Sequence, residues 1–262
     1  MKNIKDEFLQ QYEHEVLSIT ALPKQIMEQY SLEACLKHTK DKQLYLLCSK
    51  LSGERYILKQ IPRFSEESLQ REYILLSRID HPAIPQVVDY MEYGQNSYLL
   101  RQYIPGSTLY ELAGSGQVFA EEKTVQVLLS ICSILNNLHC QHPPVIHGAM
   151  KPQNVVLTPA GEYRLINIGI LRYYKNNAIE ATAAPEQFLY GQNDERSDIY
   201  GLGMLAVFLL TGGFDVTSPA LRKTSLPLQR ILFKCLSFNP DRRYANAGLL
   251  KSKLEQCLKK HR

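Results

Sequence analysis

Three groups of residues in this chain could do chemistry. Lys59 stands in a short run, residues 55–61, that reads as a strand. Glu72 follows Leu69 by three residues and precedes Leu76 by four, which places its carboxylate on the inward face of a helix. The run His139-Cys140-Gln141-His142 has the side chains of a metal site but lacks the second ligand pair that zinc requires, so it is read as structural. The third group is the polar stretch from His147 to Asn154, with Asn167 beyond it. The cysteines at 35, 48, 132, 140, 235 and 257 form no CxxC pair, and several lie in apolar runs, as reduced and packed thiols do.

Two kinds of element must position these groups. Ile4, Phe8, Tyr12 and Val16 recur at steps of four, an amphipathic helix over residues 4–17 that ends before Pro23. Residues 31–104 read as β-rich with one helix. Runs 43–49 and 55–61 form a hairpin about Leu51-Ser52-Gly53-Glu54, and runs 87–92 and 97–104 pair around Gly94-Gln95-Asn96. Ser65 is the expected cap of a helix reaching about Ile79, with Glu66 and Glu67 in its first turn. From Thr108 the pattern becomes helical. Val125, Leu128, Leu129, Cys132, Leu135 and His139 mark a long buried helix, and Ala247, Leu250, Leu254 and Cys257 share one face of the last. Short apolar runs at 155–157 and 163–168 interrupt the helices, which resume near Ser197. A small β-rich half followed by a larger helical half predicts an α+β fold of two lobes with a cleft between them.

Composition narrows the function classes. The 262 residues are 45% hydrophobic and 21% charged, ordinary for a soluble globular chain. A net charge of +4 falls short of the concentrated basic surface of a nucleic-acid binder. The longest purely apolar stretch, residues 204–210, is too short to cross a bilayer, and no leader pattern is visible. The expectation is a soluble, cytoplasmic protein whose only membrane contact would run through the basic end Lys259-Lys260-His261-Arg262.

Five motifs then occur in one order and spacing. They are Ile57-Leu58-Lys59, Glu72, the stretch from His147 to Asn154, Asn167-Ile168-Gly169, and Ala184-Pro185-Glu186. Together they resemble a serine/threonine protein kinase of the bacterial type over roughly residues 30–258. The resemblance implies a helical extension at 1–29 and a kinase-like domain at 30–262, with a small lobe at about 30–104 and a large lobe at about 105–262. It implies that Glu186 pairs with Arg243, that Asp198 ties down the catalytic loop, that His147 packs within that loop, and that Lys59 and Glu72 form an ion pair.

The same resemblance exposes losses. Phosphoryl transfer depends on positioning and charge stabilisation. The carboxylate expected beside the acceptor hydroxyl is replaced by Ala149, which can neither accept a proton nor orient the hydroxyl. Gly148 replaces the preceding Arg, and Asn167 replaces the carboxylate that grips the bridging metal. Asn154 keeps the other metal position, as a weak candidate like Asn167, and Lys151 keeps the charge near the transferred phosphate. The turn at His38-Thr39-Lys40-Asp41-Lys42 has no glycine with which to cradle phosphate and reads as a solvated hairpin tip. Ile57 fills the roof over adenine, usually Ala. Arg101 takes the gatekeeper position beside Gln102 and is expected to point inward and pair with Glu72 in competition with Lys59. The segment from Gly169 to Ala184 is short, with hydroxyls only at Tyr173, Tyr174 and Thr182, and no regulatory phosphorylation is expected there.

The sequence therefore reads as a degenerate kinase, a pseudokinase that acts as a scaffold or allosteric signalling module for a protein partner. It requires no cofactor, and ATP with Mg²⁺ or Mn²⁺ would be held weakly or not at all. The alternative is a divergent, slow ATP-dependent serine/threonine kinase. A small-molecule phosphotransferase of related fold fits less well, because Ala184-Pro185-Glu186 belongs to protein kinases.

Overall fold

The computed structural model describes residues 22–65, 67–114, 118–169 and 181–259. The expected helix at 4–17, Tyr173 and Tyr174, and the last three residues of the basic end lie outside the described residues. The chain forms two compact units. One holds the described residues up to Gln70 together with Val87–Tyr103, and the other holds Arg71–Gln86 together with the described residues from Ile104 on.

The first unit is an antiparallel sheet. Its strands are β1 (Tyr30–Thr39), β2 (Lys42–Ser49), β3 (Arg55–Pro62), β4 (Val87–Tyr93) and β5 (Asn96–Gln102), in the order β1-β2-β3-β5-β4. β3 and β5 are buried on both faces, because strands in the middle of a covered sheet lose the alternation that marks an exposed one. On one face Tyr45, Leu47, Leu58, Tyr98 and Leu100 pack with Leu22 and with Ile26 of the short helix α1 (Lys24–Gln29). Part of the N-terminal extension thus packs on its own sheet. The other face carries Ile57, Lys59, Ile61, Leu99 and Arg101, alternating with the first set. β1 and β2 turn tightly, with Thr39 paired to Lys42 and the Thr39 hydroxyl donating to the Lys42 carbonyl at 2.9 Å.

The expected helix from Ser65 is corrected in the structure. Helix α2 runs only from Leu69 to Leu76. The Ser65 hydroxyl instead accepts from the Glu67 amide at 3.3 Å, closing a local turn two residues on. Glu67 therefore precedes the helix and is free to reach elsewhere.

The second unit is mainly helical. A small sheet of β6 (Ser107–Thr108), β7 (Val155–Leu157) and β8 (Tyr163–Leu165) lies beside α3 (Leu109–Ala113), whose start is fixed by a capping box between Thr108 and Glu111. The long helices are α4 (Glu121–His139), α6 (Glu195–Thr211), α7 (Leu226–Cys235) and α8 (Ala247–Lys259), with the short α5 (Pro185–Leu189) between. α6 is buried around most of its circumference, the mark of a central helix. Gly201 lets it touch the polar loop: a Cβ there would stand 2.7 Å from Met150 Cβ and 3.2 Å from the Met150 carbonyl oxygen. On α8, Ala247, Leu250, Leu254 and Cys257 are buried, as their spacing predicted. No helix among the described residues is long and apolar enough to cross a membrane.

Candidate functional site

In the helical unit, Asp198 on α6 is the hub of the polar loop. Its carboxylate accepts from the backbone amides of His147 and Gly148, both at 2.8 Å, and lies 2.9 Å from His139 Nε2. The first two bonds are the tether expected from the motif, whereas the role of His139 was missed. Its position at the end of an amphipathic face read as simple packing. His147 is fully buried, and its Nδ1 accepts from the Ala149 amide at 3.3 Å. Burial pushes the His147 imidazole below its ordinary pKa despite the facing Asp198 carboxylate.

Glu186 and Arg243 form the expected bidentate pair, at 2.7 Å and 2.8 Å, in the interior. Ser197 donates to the same carboxylate at 2.7 Å. Arg243 also donates to the carbonyls of Arg196, Ser237 and Phe238, and lies over the Tyr200 ring at 4.9 Å. Burial alone would raise the Glu186 carboxyl, but the bonds from Arg243 and Ser197 outweigh it and hold the group below the usual carboxylate range.

The loop between these anchors is closed by amides. Asn154 Nδ2 donates to the Ala149 carbonyl at 2.8 Å, and Asn154 Oδ1 accepts from Asn167 Nδ2 at 2.8 Å. Asn167 sits at φ 61°, a left-handed conformation that Asn tolerates better than most side chains. The Asn154 oxygen that a cation would need is thus engaged by a neutral amide rather than set beside a carboxylate. Mg²⁺ favours hard, negatively charged oxygen, so these residues do not fit a Mg²⁺ site. Lys151 lies between the anchors and is partly buried.

Gly148, at φ 73°, stands where the resemblance expects Arg. A Cβ there would lie 2.9 Å from Asn193 Nδ2. Gln187 occupies the same neighbourhood. Its Nε2 donates to the Gly148 carbonyl at 2.9 Å and to Asn193 Oδ1 at 3.2 Å, while its Oε1 accepts from the Ala184 amide at 2.8 Å. The Ala-Pro-Glu segment is therefore clamped directly to the polar loop. Sequence reasoning missed Gln187, for which the only signal was its place next to Glu186.

In the sheet unit, Lys59 is 1% exposed and forms an ion pair with Glu67. Lys42 approaches the same carboxylate at 3.5 Å. Burial pushes Glu67 up, but the two lysines outweigh it and hold the carboxyl below its ordinary range. Glu67 is thus a carboxylate partner of Lys59 that the sequence did not suggest, and one expectation is corrected: Lys42 is not simply part of a solvated hairpin tip. Arg101 is 6% exposed and lies directly across from Ile57 in the β3–β5 register, on the face that carries Lys59. Gln102 ends β5 and is exposed. Glu72 lies on α2 and is buried, as its spacing predicted.

This sheet, the central buried helix, the tethered polar loop and the Glu186–Arg243 pair together define a protein kinase domain. The chain belongs to that family, whose protein kinase domain matches residues 41–255. It is similar to a probable serine/threonine-protein kinase of Streptomyces coelicolor, 28% identical over 235 residues, covering 77% of this chain and 34% of the relative. It is also similar to serine/threonine-protein kinase PknB of Mycolicibacterium smegmatis, 28% identical over 219 residues, covering 71% of this chain and 35% of the relative. The chain thus spans about a third of the length of these curated relatives. Among solved structures, the PknI kinase domain of Mycobacterium tuberculosis shares the fold, with a TM-score of 0.72 at 21% identity, covering 87% of this chain and 96% of that one.

Proposed function

We propose that this chain is a pseudokinase, a kinase fold that serves as a scaffold or allosteric module for a protein partner and does not transfer phosphate in the ordinary way. The observation that carries the reading is the closed amide pair of Asn154 and Asn167 next to Ala149. Two positions that need carboxylates hold none, and the Asn154 and Asn167 side chains bond to each other instead. Ile57 and Arg101 support it from the sheet. They lie opposite one another in the β3–β5 register and both are buried, and the resemblance assigns these two positions to the adenine pocket.

The buried Lys59, which keeps a carboxylate partner in Glu67, favours a second reading, a divergent and slow serine/threonine kinase. Transfer of labelled phosphate from ATP to the chain itself and to a basic protein separates the two. The pseudokinase reading predicts no transfer with Mg²⁺ or Mn²⁺ above the level of a Lys59→Met variant. Metal-dependent transfer that disappears in that variant would establish the second reading.

A further inference from the structure

α7 has two faces of opposite character. Leu228, Ile231, Leu232 and Cys235 are buried against the helical unit. Leu226, Arg230, Phe233 and Lys234 fall within an arc of about 100° on the other side, at 3.6 residues per turn. Leu226 is 66% exposed and Phe233 59%, and Phe238, just beyond the helix, is 67% exposed. This display is held firmly. Ser225 caps α7 and is bonded through both its amide and its hydroxyl to Glu121 on α4. The carbonyls of Ser237 and Phe238 accept from the buried Arg243 at 2.8 and 3.2 Å.

Along α7 and the segments that lead into and out of it, the charged side chains are all basic. Arg222, Lys223, Arg230 and Lys234 are all exposed, and the sequence has no Asp or Glu between Asp215 and Asp241. None of the four is ion-paired among the described residues, and Lys234 lies over the Tyr244 ring at 4.6 Å. Two aromatic rings and a leucine, mostly exposed and flanked by cations, are more than the scattered apolar residues of an ordinary surface.

We propose that the outer face of α7, with the turns that flank it, is a docking surface for an anionic lipid bilayer. A partner helix or strand is received by a groove, whereas these side chains project. Projecting Phe and Leu suit the headgroup boundary, where apolar groups enter the acyl region and Lys and Arg lie against anionic headgroups. Charge and apolar area act together here, the two signals that stable anchoring requires.

The test is co-sedimentation of the whole chain with vesicles of phosphatidylcholine alone or mixed with phosphatidylglycerol. The native chain is expected to bind the mixed vesicles, less so as salt rises, and to leave the neutral ones unbound. Arg222→Glu with Arg230→Glu, and separately Phe233→Ser with Phe238→Ser, should each lower partitioning at least about tenfold. Both variants should keep the native melting temperature, because all four side chains are exposed. A third variant, Lys259→Ser with Lys260→Ser and Arg262→Ser, should bind as the native chain does. The proposal is overturned if the native chain ignores the mixed vesicles, or if only the third variant loses binding. It is also overturned if sedimentation equilibrium shows that this face instead joins two copies of the chain, with the Phe233/Phe238 variant monomeric.

Discussion

At the scale of single residues, the account rests on what an amide can and cannot do. Asn167 donates to Asn154, and a carboxylate at the same position could only accept. Asn167→Asp should therefore lower stability by about 1 kcal/mol in chelator, through the lost bond. Millimolar Mn²⁺ should restore part of that loss, while the native chain shows no such response. Thermal melts of both proteins with and without the metal check this, and an equal response in the native chain would contradict it. Arg243 poses the opposite case, a buried cation with every donor used. Arg243→Ala strands Glu186 in the interior and should cost about 3–5 kcal/mol in urea unfolding. A loss below about 1 kcal/mol would mean that the pair does not organise the helical unit.

At the scale of elements, the clamp from Gln187 is the least expected feature. It links the α5 segment to the polar loop through the Gly148 carbonyl, without an Arg and without phosphate. Gln187→Ala should speed amide hydrogen exchange around residues 184–190 while leaving the centre of α6 protected. Unchanged exchange in that segment would show that the clamp adds nothing. The sheet's covered face gives a second element-level prediction. Ile26 of α1 is buried against the sheet, so Ile26→Ala should destabilise the chain by about 2–5 kcal/mol, read by urea unfolding.

Much of this was legible in the sequence, and the reason is periodicity. Strand alternation put Ile57 and Lys59 on one face, and helical spacing put Glu72 and the α8 residues inward. Asp198, Glu186 and Arg243 were legible through the motif order. The partners that escaped are those fixed by irregular chain. Glu67 reaches Lys59 from a turn that carries no repeat, and the Ser65 hydroxyl, a plausible helix cap, closes that turn instead. Gln187 acts through a backbone carbonyl, a contact that no residue pattern encodes.

At the scale of the whole molecule, His147, Glu67 and Glu186 act in one direction as pH falls. His147 has its pKa lowered in the folded chain from an ordinary 6.5, so the unfolded chain binds the extra proton first. Its contribution to stability is complete above that value and is lost as pH falls through it toward the folded value. Glu67 and Glu186 are lowered from an ordinary 4.5, so theirs is lost further down, as pH falls through their folded values. Stability should therefore decline as pH falls below about 6.5 and again in the carboxylate range. His147→Phe should flatten the first decline, and a native chain equally stable at pH 8 and pH 5.5 would contradict the assignment.

The central claim concerns the nucleotide, and melting temperature against ATP concentration, with and without Mg²⁺, tests it most directly. A ligand at 100 times its dissociation constant stabilises a fold by about 2.7 kcal/mol, a shift that melting reads easily. The account predicts that Mg²⁺ adds nothing to whatever small shift ATP produces. A clear Mg²⁺-dependent rise would show that Asn154 and Asn167 still assemble a metal–nucleotide site, and would contradict the reading of this chain as a pseudokinase with a closed loop.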